Sequence, residues 1–230
     1  MEERGVRRGA AGKGLLRPFT LETILLTEKP RKHPEILDGR TARAYLGRGM
    51  RTRARRDFTD TVLALVNPRQ VRRVPLRARI AWATAVGERA LRLHPGFLKS
   101  YDQKPWIDYA WAFAGGRRDD PARRERLSAR LDAQVERAER GRYSQEFLFV
   151  GIHVLEEIAE PDGASAQAAV EYAALLYGES LPAKLRKAGG DWVQLPFYEF
   201  AARTLEVARG LEGAGIARDA FESTPLHCPP

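Results

Sequence analysis

Apolar residues recur every three to four positions through most of this 230-residue chain, and this helical periodicity restricts the fold more than any other feature. No segment shows the sustained polar–apolar alternation, rich in β-branched residues, that is typical of strands. Prolines and glycines divide the periodic stretches into short segments. The sequence therefore predicts an all-α protein: a single globular helical domain of about seven to nine helices with a basic N-terminal arm.

Capping signals place several of these helices. Asp120 followed by Pro121 predicts a helix that begins there and runs to Arg140, because Asp caps a helix N-terminus and proline suits its first position. By the same reasoning, Pro75 opens a helix, and Ser165 is expected to cap another. The stretch NPRQVRRVP, residues 67–75, is interpreted as a basic linker.

Segment 145–159 has apolar residues on nearly all sides of a helix, which is the pattern of a fully buried helix. We predict that it is the central helix of the fold, with Phe149, Ile152 and Leu155 in the core. A hydrophobic content of 43% is sufficient for such a core.

Composition divides the chain into three parts. Residues 1–56 are interpreted as a basic Arg/Gly-rich arm with a short helix, 57–216 as the helical domain, and 217–230 as a flexible tail. The longest apolar runs are too short to cross a bilayer, so we expect no membrane partner. Cys228 is the only cysteine, which excludes an intramolecular disulfide and is typical of a reduced, cytoplasmic protein.

Positive charge is concentrated at one end of the chain. The first 79 residues contain 20 Lys and Arg against 8 Asp and Glu, whereas the remaining 151 contain 19 against 22. Such asymmetry predicts an arm or face that attracts polyanions. Phosphate contacts need charge and reach but no strict spacing. The predicted contacts are Arg40, Arg43, Arg48, Arg51, Arg53, Arg55, Arg56, Arg69, Arg72, Arg73, Arg77 and Arg79.

The function predicted from this pattern is an accessory nucleic-acid-binding or ribonucleoprotein-assembly subunit that holds the phosphate backbone without reading sequence. Charge alone does not distinguish DNA from RNA. The alternative is a helical protein–protein scaffold, or a homo-oligomeric assembly protein, whose basic arm docks on an acidic partner. Other subunits of a complex are partners in either case.

Six aromatic residues occur within 17 positions, close to Lys99 and Lys104. Aromatic side chains beside cations can stack on the bases of single strands. However, the spacing of Trp106, Tyr109 and Phe113 places them on one helix face, which is also what an ordinary core helix shows. We therefore predict core packing for the cluster, which comprises Phe97, Tyr101, Trp106, Tyr109, Trp111 and Phe113.

No pattern of residues indicates catalysis or metal binding. His153 is the one histidine inside a predicted helix, and no further ligand stands at a suitable spacing. The pair Asp119–Asp120 is explained by helix capping. Phosphate-binding glycine loops and nucleophile motifs do not occur. The sequence thus predicts a protein that is not an enzyme and has no cofactor or metal.

Overall fold

The computed structural model describes residues 57–138, 145–211 and 215–226. These residues form helices and connecting loops without a strand, which confirms the all-α prediction. Along the described chain the helices are α1 (57–65), α2 (Pro68–Arg73), α3 (Leu76–Arg92), α4 (Pro95–Ser100), α5 (Lys104–Ala114), α6 (Pro121–Ala138), α7 (Glu146–Ala159), α8 (Ala164–Ser180), α9 (Ala183–Gly189), a 3₁₀-helix (Gly190–Gln194), α10 (Leu195–Arg209) and α11 (Asp219–Glu222). None of the described helices is both long and apolar enough to pass through a bilayer.

The predicted arm, residues 1–56, lies outside the described residues, so the division into arm, domain and tail stays a prediction. Within the last part, 217–230, the described residues contact the helical domain. The ring of Phe221 is buried, with its centroid 6.0 Å from that of Trp111, and Arg218 forms an ion pair with Glu88. These contacts join α11 to α3 and α5.

The central helix is α3, not the predicted segment 145–159. Helix α3 packs against α5, α7, α8 and α10, and the side chain of Trp82 is fully buried with its indole N–H donating to the Ala201 carbonyl at 2.9 Å. In α7, Leu155 is buried as predicted, but Phe149 and Ile152 are only half-buried. The prediction counted large apolar side chains, whereas half of the buried residues of α3 are alanines, Thr84 and Gly87.

Glycines let helices approach closely at two helix–helix contacts, α7 with α5 and α3 with α7. A Cβ atom on Gly151 of α7 would lie 2.8 Å from the Trp106 ring of α5, and one on Gly87 of α3 would overlap Val150. Core atoms do not approach this closely, so a larger residue at either position would push the helices apart. The small residues of α3 and α7 thus let these helices pack closely against their neighbours.

Asp120 caps α6 as the sequence predicts. Its side-chain Oδ1 accepts a hydrogen bond from the Arg123 backbone N–H at 3.0 Å, and Pro121 occupies the first helical position. The described part of α6 ends at Ala138, so the predicted end at Arg140 lies outside the described residues.

Asp120→Ala is expected to lower the free energy of unfolding by about 0.5–2 kcal/mol, because an N–H at the start of α6 loses its acceptor. Urea denaturation of the two proteins measures this difference. Asp120→Asn is the matched control, since an asparagine can also cap, and it should cost much less. Equal losses for the two variants would contradict the capping role.

The predicted cap of α8 is wrong. This helix begins at Ala164 rather than after Ser165, and the N–H of Ala164 donates to Asp162 Oδ1 at 2.7 Å. The N–H groups of Gly163 and Ala166 donate to the carboxylate of Glu157, at 3.0–3.1 Å. Glu157 belongs to α7, so the start of α8 is capped mainly by a residue that local sequence patterns do not reveal.

Candidate nucleic-acid interface

Three of the predicted phosphate contacts lie on one short helix. The predicted linker 67–75 contains α2, whose N-terminus is capped by Asn67 and whose Val71 is fully buried. Arg69, Arg72 and Arg73 are exposed on this helix. None of the three guanidinium groups forms an ion pair with a carboxylate of the described residues. Helix α2 is therefore an exposed basic surface with Val71 as its one buried residue.

Arg79 was predicted to contact phosphate, and the structure excludes it from the interface. Its side chain is 5% exposed and its Nη2 lies 2.5 Å from Oε1 of Glu157, whose side chain is completely buried. A guanidinium group in this position has no surface for an external phosphate. Net charge along the sequence could not separate this arginine from the exposed ones, because the partner is 78 positions away.

The buried pair positions the basic helix. Nη1 of Arg79 donates to the carbonyl groups of Arg72 and Val74, both at 3.3 Å, which are at the end of α2. Glu157 in turn accepts from the start of α8, as described above. Burial raises the pKa of the Glu157 carboxyl, while Arg79 and the backbone donors oppose that shift. Nε of Arg79 has no hydrogen-bond partner among the described residues.

Arg77 has a mainly structural role as well. Its Nη1 donates to the carbonyl group of Phe113 at 2.5 Å, and the guanidinium carbon lies 5.0 Å from the centroid of the Phe113 ring. A longer hydrogen bond of 3.4 Å reaches the carbonyl of Arg117. The Phe113 carbonyl also accepts from the backbone N–H of Gly116 at 3.1 Å, so Arg77 adds a second donor at the C-terminus of α5. These bonds hold the loop after α5 against the start of α3, which directly follows α2.

That loop adds two cations that the sequence analysis did not single out. Arg117 and Arg118 are exposed, and neither forms an ion pair among the described residues. Arg73 and Arg77 are four positions apart at the junction of α2 and α3, and Arg77 contacts the loop. The exposed arginines of α2 and of this loop therefore flank the same helix start. Arg209 of α10 lines a surface groove together with Arg73.

Helix α6 has a further row of arginines that was not predicted to contact phosphate. The spacing of three, four and seven residues places them on one side of a helix, which is the signal that could have revealed them. The row comprises Arg123, Arg126, Arg130 and Arg137. Three of its members already have partners: the rings of Tyr109 and Tyr101 and the carboxylate of Asp102. This row is consequently a weaker candidate than α2.

The predicted aromatic cluster forms part of the core. Phe97 is fully buried and Trp106 is 1% exposed, with its indole N–H donating to Gln103 at 2.9 Å. Of the six residues, only Trp111 is half-exposed, and its N–H donates to Glu88 at 3.2 Å. Core packing of these aromatics is confirmed. The exposed large aromatic residue of the described chain is Trp192, which lies outside the cluster.

The other predicted contacts, Arg40, Arg43, Arg48, Arg51, Arg53, Arg55 and Arg56, lie outside the described residues. Their charge remains relevant, because segment 1–56 contains 15 Lys and Arg against 6 Asp and Glu. That balance of +9 equals the net charge of the whole chain, so residues 57–230 are neutral as a group. Any strong attraction of the helical part for polyanions must therefore come from local patches such as α2.

The histidines of the described region have structural partners. His94 Nε2 lies 2.8 Å from the Leu176 carbonyl, and His153 Nδ1 lies 2.6 Å from Oε2 of Glu156. The ring of His153 is also stacked on Tyr172, with centroids 5.3 Å apart. No group of three potential ligands with the geometry of a metal site occurs among the residues that the structure describes.

Comparison of the chain with protein-family models, curated proteins and solved structures finds no match.

Proposed function

We propose that this protein is an accessory nucleic-acid-binding subunit that holds the phosphate backbone without reading sequence. The observation that supports this most is the exposed group of Arg69, Arg72 and Arg73 on α2, which lacks carboxylate partners in the described chain. Like charges so close together repel one another unless an anion neutralises them. Phosphates are suitable anions, because arginine binds them in a bidentate manner.

The contacts proposed here suit a backbone rather than base edges. Helix α2 has six residues, so it spans only about 9 Å at 1.5 Å per residue. The cations come from α2, from the Arg117–Arg118 loop and from the preceding Arg-rich segment, which are separate elements of the chain. Contacts of this kind fix position but carry no sequence information. Specificity would then come from other subunits of a complex.

The salt dependence of binding tests the proposal. The logarithm of the affinity for a generic oligonucleotide should fall linearly with the logarithm of salt concentration, by about 0.7–0.9 per contacted phosphate. Replacing Arg69, Arg72 and Arg73 together by Ala should reduce the slope by about 2–3. Replacing Arg51, Arg53, Arg55 and Arg56 together should reduce it by about 3–4. Fluorescence anisotropy titrations at several salt concentrations measure both.

A matched control removes the same charge from paired residues. Arg92, Lys104 and Arg130 each form an ion pair with a neighbouring carboxylate, so their joint replacement by Ala also removes three positive charges. We expect this control to keep nearly the wild-type slope. Wild-type protein that fails to bind oligonucleotides at low salt would refute the proposed function, and equal slopes for all variants would remove α2 from the interface.

A protein–protein scaffold is the second proposal, and one groove favours it. Leu175, which is 41% exposed, lines this groove with Val193, and the carboxylates of Glu146 and Glu179 lie beside them together with Arg186. Burial and the neighbouring Glu146 raise the pKa of Glu179. An apolar groove with acidic residues complements a basic chain, such as a second copy of this protein. Light scattering over a range of protein concentrations tests self-association, which Leu175→Glu should abolish.

A further inference from the structure

Trp192 differs from the other tryptophans in its exposure. Trp82 and Trp106 are buried and Trp111 is half-buried, whereas 40% of the surface of Trp192 is accessible. The indole is large and amphipathic, and tryptophan is for this reason enriched at binding interfaces.

The indole packs against α1. Trp192 belongs to the 3₁₀-helix Gly190–Gln194, and its ring makes an edge contact with Phe58 of α1, with centroids 5.5 Å apart. Gly190 has a φ of +54°, which a residue with a side chain rarely adopts, and it joins α9 to the 3₁₀-helix. Phe58 and this turn fix the position of Trp192 while leaving much of the indole open.

Positive charges lie on α9, which directly precedes the 3₁₀-helix of Trp192 and packs against it. Lys184, Arg186 and Lys187 of α9 are exposed, and none forms an ion pair among the described residues. No residue of α9 is buried, so the helix contributes nothing to the core.

Two carboxylates are adjacent in sequence to Trp192 and to its ring partner Phe58. Asp191 immediately precedes Trp192, and Asp57 immediately precedes Phe58; both are exposed. They repel phosphate directly at the ring. A bound strand would therefore place a base on Trp192 while its phosphates contact the lysines and the arginine of α9.

From this arrangement we infer that Trp192 is a stacking platform for an unpaired base, and that the ligand of the protein is single-stranded nucleic acid. This inference rests on the proposed function and specifies its ligand. Bases within a duplex are already stacked on both faces, so an indole can stack only on a base that is unpaired. Stacking accepts any base, which agrees with binding that does not read sequence.

Oligonucleotide binding by Trp192 variants tests the inference. With a single-stranded oligothymidylate as the probe, Trp192→Ala should weaken the affinity by about 5- to 150-fold, the range measured for loss of one stacked base. Trp192→Phe should retain part of the affinity. A duplex of the same length should bind all three proteins equally. The matched control is Leu185→Ala, an exposed apolar residue of α9 whose loss should leave both affinities unchanged.

Intrinsic fluorescence gives an independent readout. Because Trp192 is the most exposed tryptophan of the described chain, the single-stranded probe should quench the emission of the wild-type protein but hardly that of Trp192→Phe. Unchanged affinity of Trp192→Ala, or equal losses for single strand and duplex, would overturn the inference. If replacing Arg69, Arg72 and Arg73 still reduced the salt slope, nucleic-acid binding would remain supported although the role of Trp192 was refuted. No oligonucleotide binding at all would refute both, and binding of Trp192 to anionic lipid vesicles instead would assign the indole to a membrane surface.

Discussion

Glu157→Gln is expected to lower the free energy of unfolding by about 3–5 kcal/mol, the usual cost of removing one partner of a buried ion pair. The glutamine retains an oxygen that can accept from the Gly163 and Ala166 N–H groups, so most of this loss reflects Arg79. That guanidinium group would stay buried without a counter-charge. Urea denaturation at neutral pH measures the difference.

A double-mutant cycle separates the ion pair from the packing around it. Arg79→Met removes the buried charge and keeps a flexible side chain of similar length. Arg79→Met combined with Glu157→Gln should therefore be more stable than Glu157→Gln alone. A double variant that merely adds the two single losses would show that the two groups act independently. It would also contradict their joint role in holding α2 against α8.

The Arg79–Glu157 ion pair could not be predicted from the sequence. Arg79 was grouped with its neighbours because its charge and position resemble those of Arg69, Arg72 and Arg73. What distinguishes it is a carboxylate 78 residues later that becomes its neighbour only in the folded chain. The charge pattern of the sequence identified a basic region. It did not indicate which arginines of that region face solvent.

The sequence predicted a helix start correctly where the capping residue is close in sequence to the N–H group that it caps. Asp120 and Pro121 mark the start of α6 correctly, because the cap and the capped N–H group are three residues apart. The start of α8 was wrong because its cap comes from α7. Helix α2 was not predicted because it is short. Its six residues contain one buried side chain, so the sequence there shows no apolar periodicity.

Burial of small residues explains the wrong choice of central helix. Large apolar side chains are conspicuous in 145–159, but α3 reaches the centre because Gly87 and several alanines let α7 approach it. Trp192 was not predicted for a related reason: the aromatic residues that cluster in sequence form the core, whereas Trp192 lies outside that cluster. Exposure depends on the packing of the whole chain, and a lone tryptophan beside two glycines gives no sign of it.

Glu171 provides a prediction for the pH dependence of stability. Burial raises the pKa of its carboxyl from 4.5 to about 7, although Gln167 donates a hydrogen bond to it at 3.0 Å and His153 lies nearby. Between these pH values the folded protein retains a proton that the unfolded chain has released. Stability from this group is therefore present at low pH and lost as the pH rises from 4.5 to about 7.

Glu171→Gln should consequently stabilise the protein above pH 7 by about 2–3 kcal/mol and change its stability little near pH 4, because the amide resembles the protonated acid. Urea denaturation of both proteins across this range measures the difference, in which the contributions of groups remote from Glu171 cancel. The exposed residue Glu199 supplies the control, and Glu199→Gln should shift the whole curve little. Parallel curves for wild type and Glu171→Gln would mean that the carboxylate ionises as readily in the folded protein as in the unfolded chain, and that burial does not disfavour its charge.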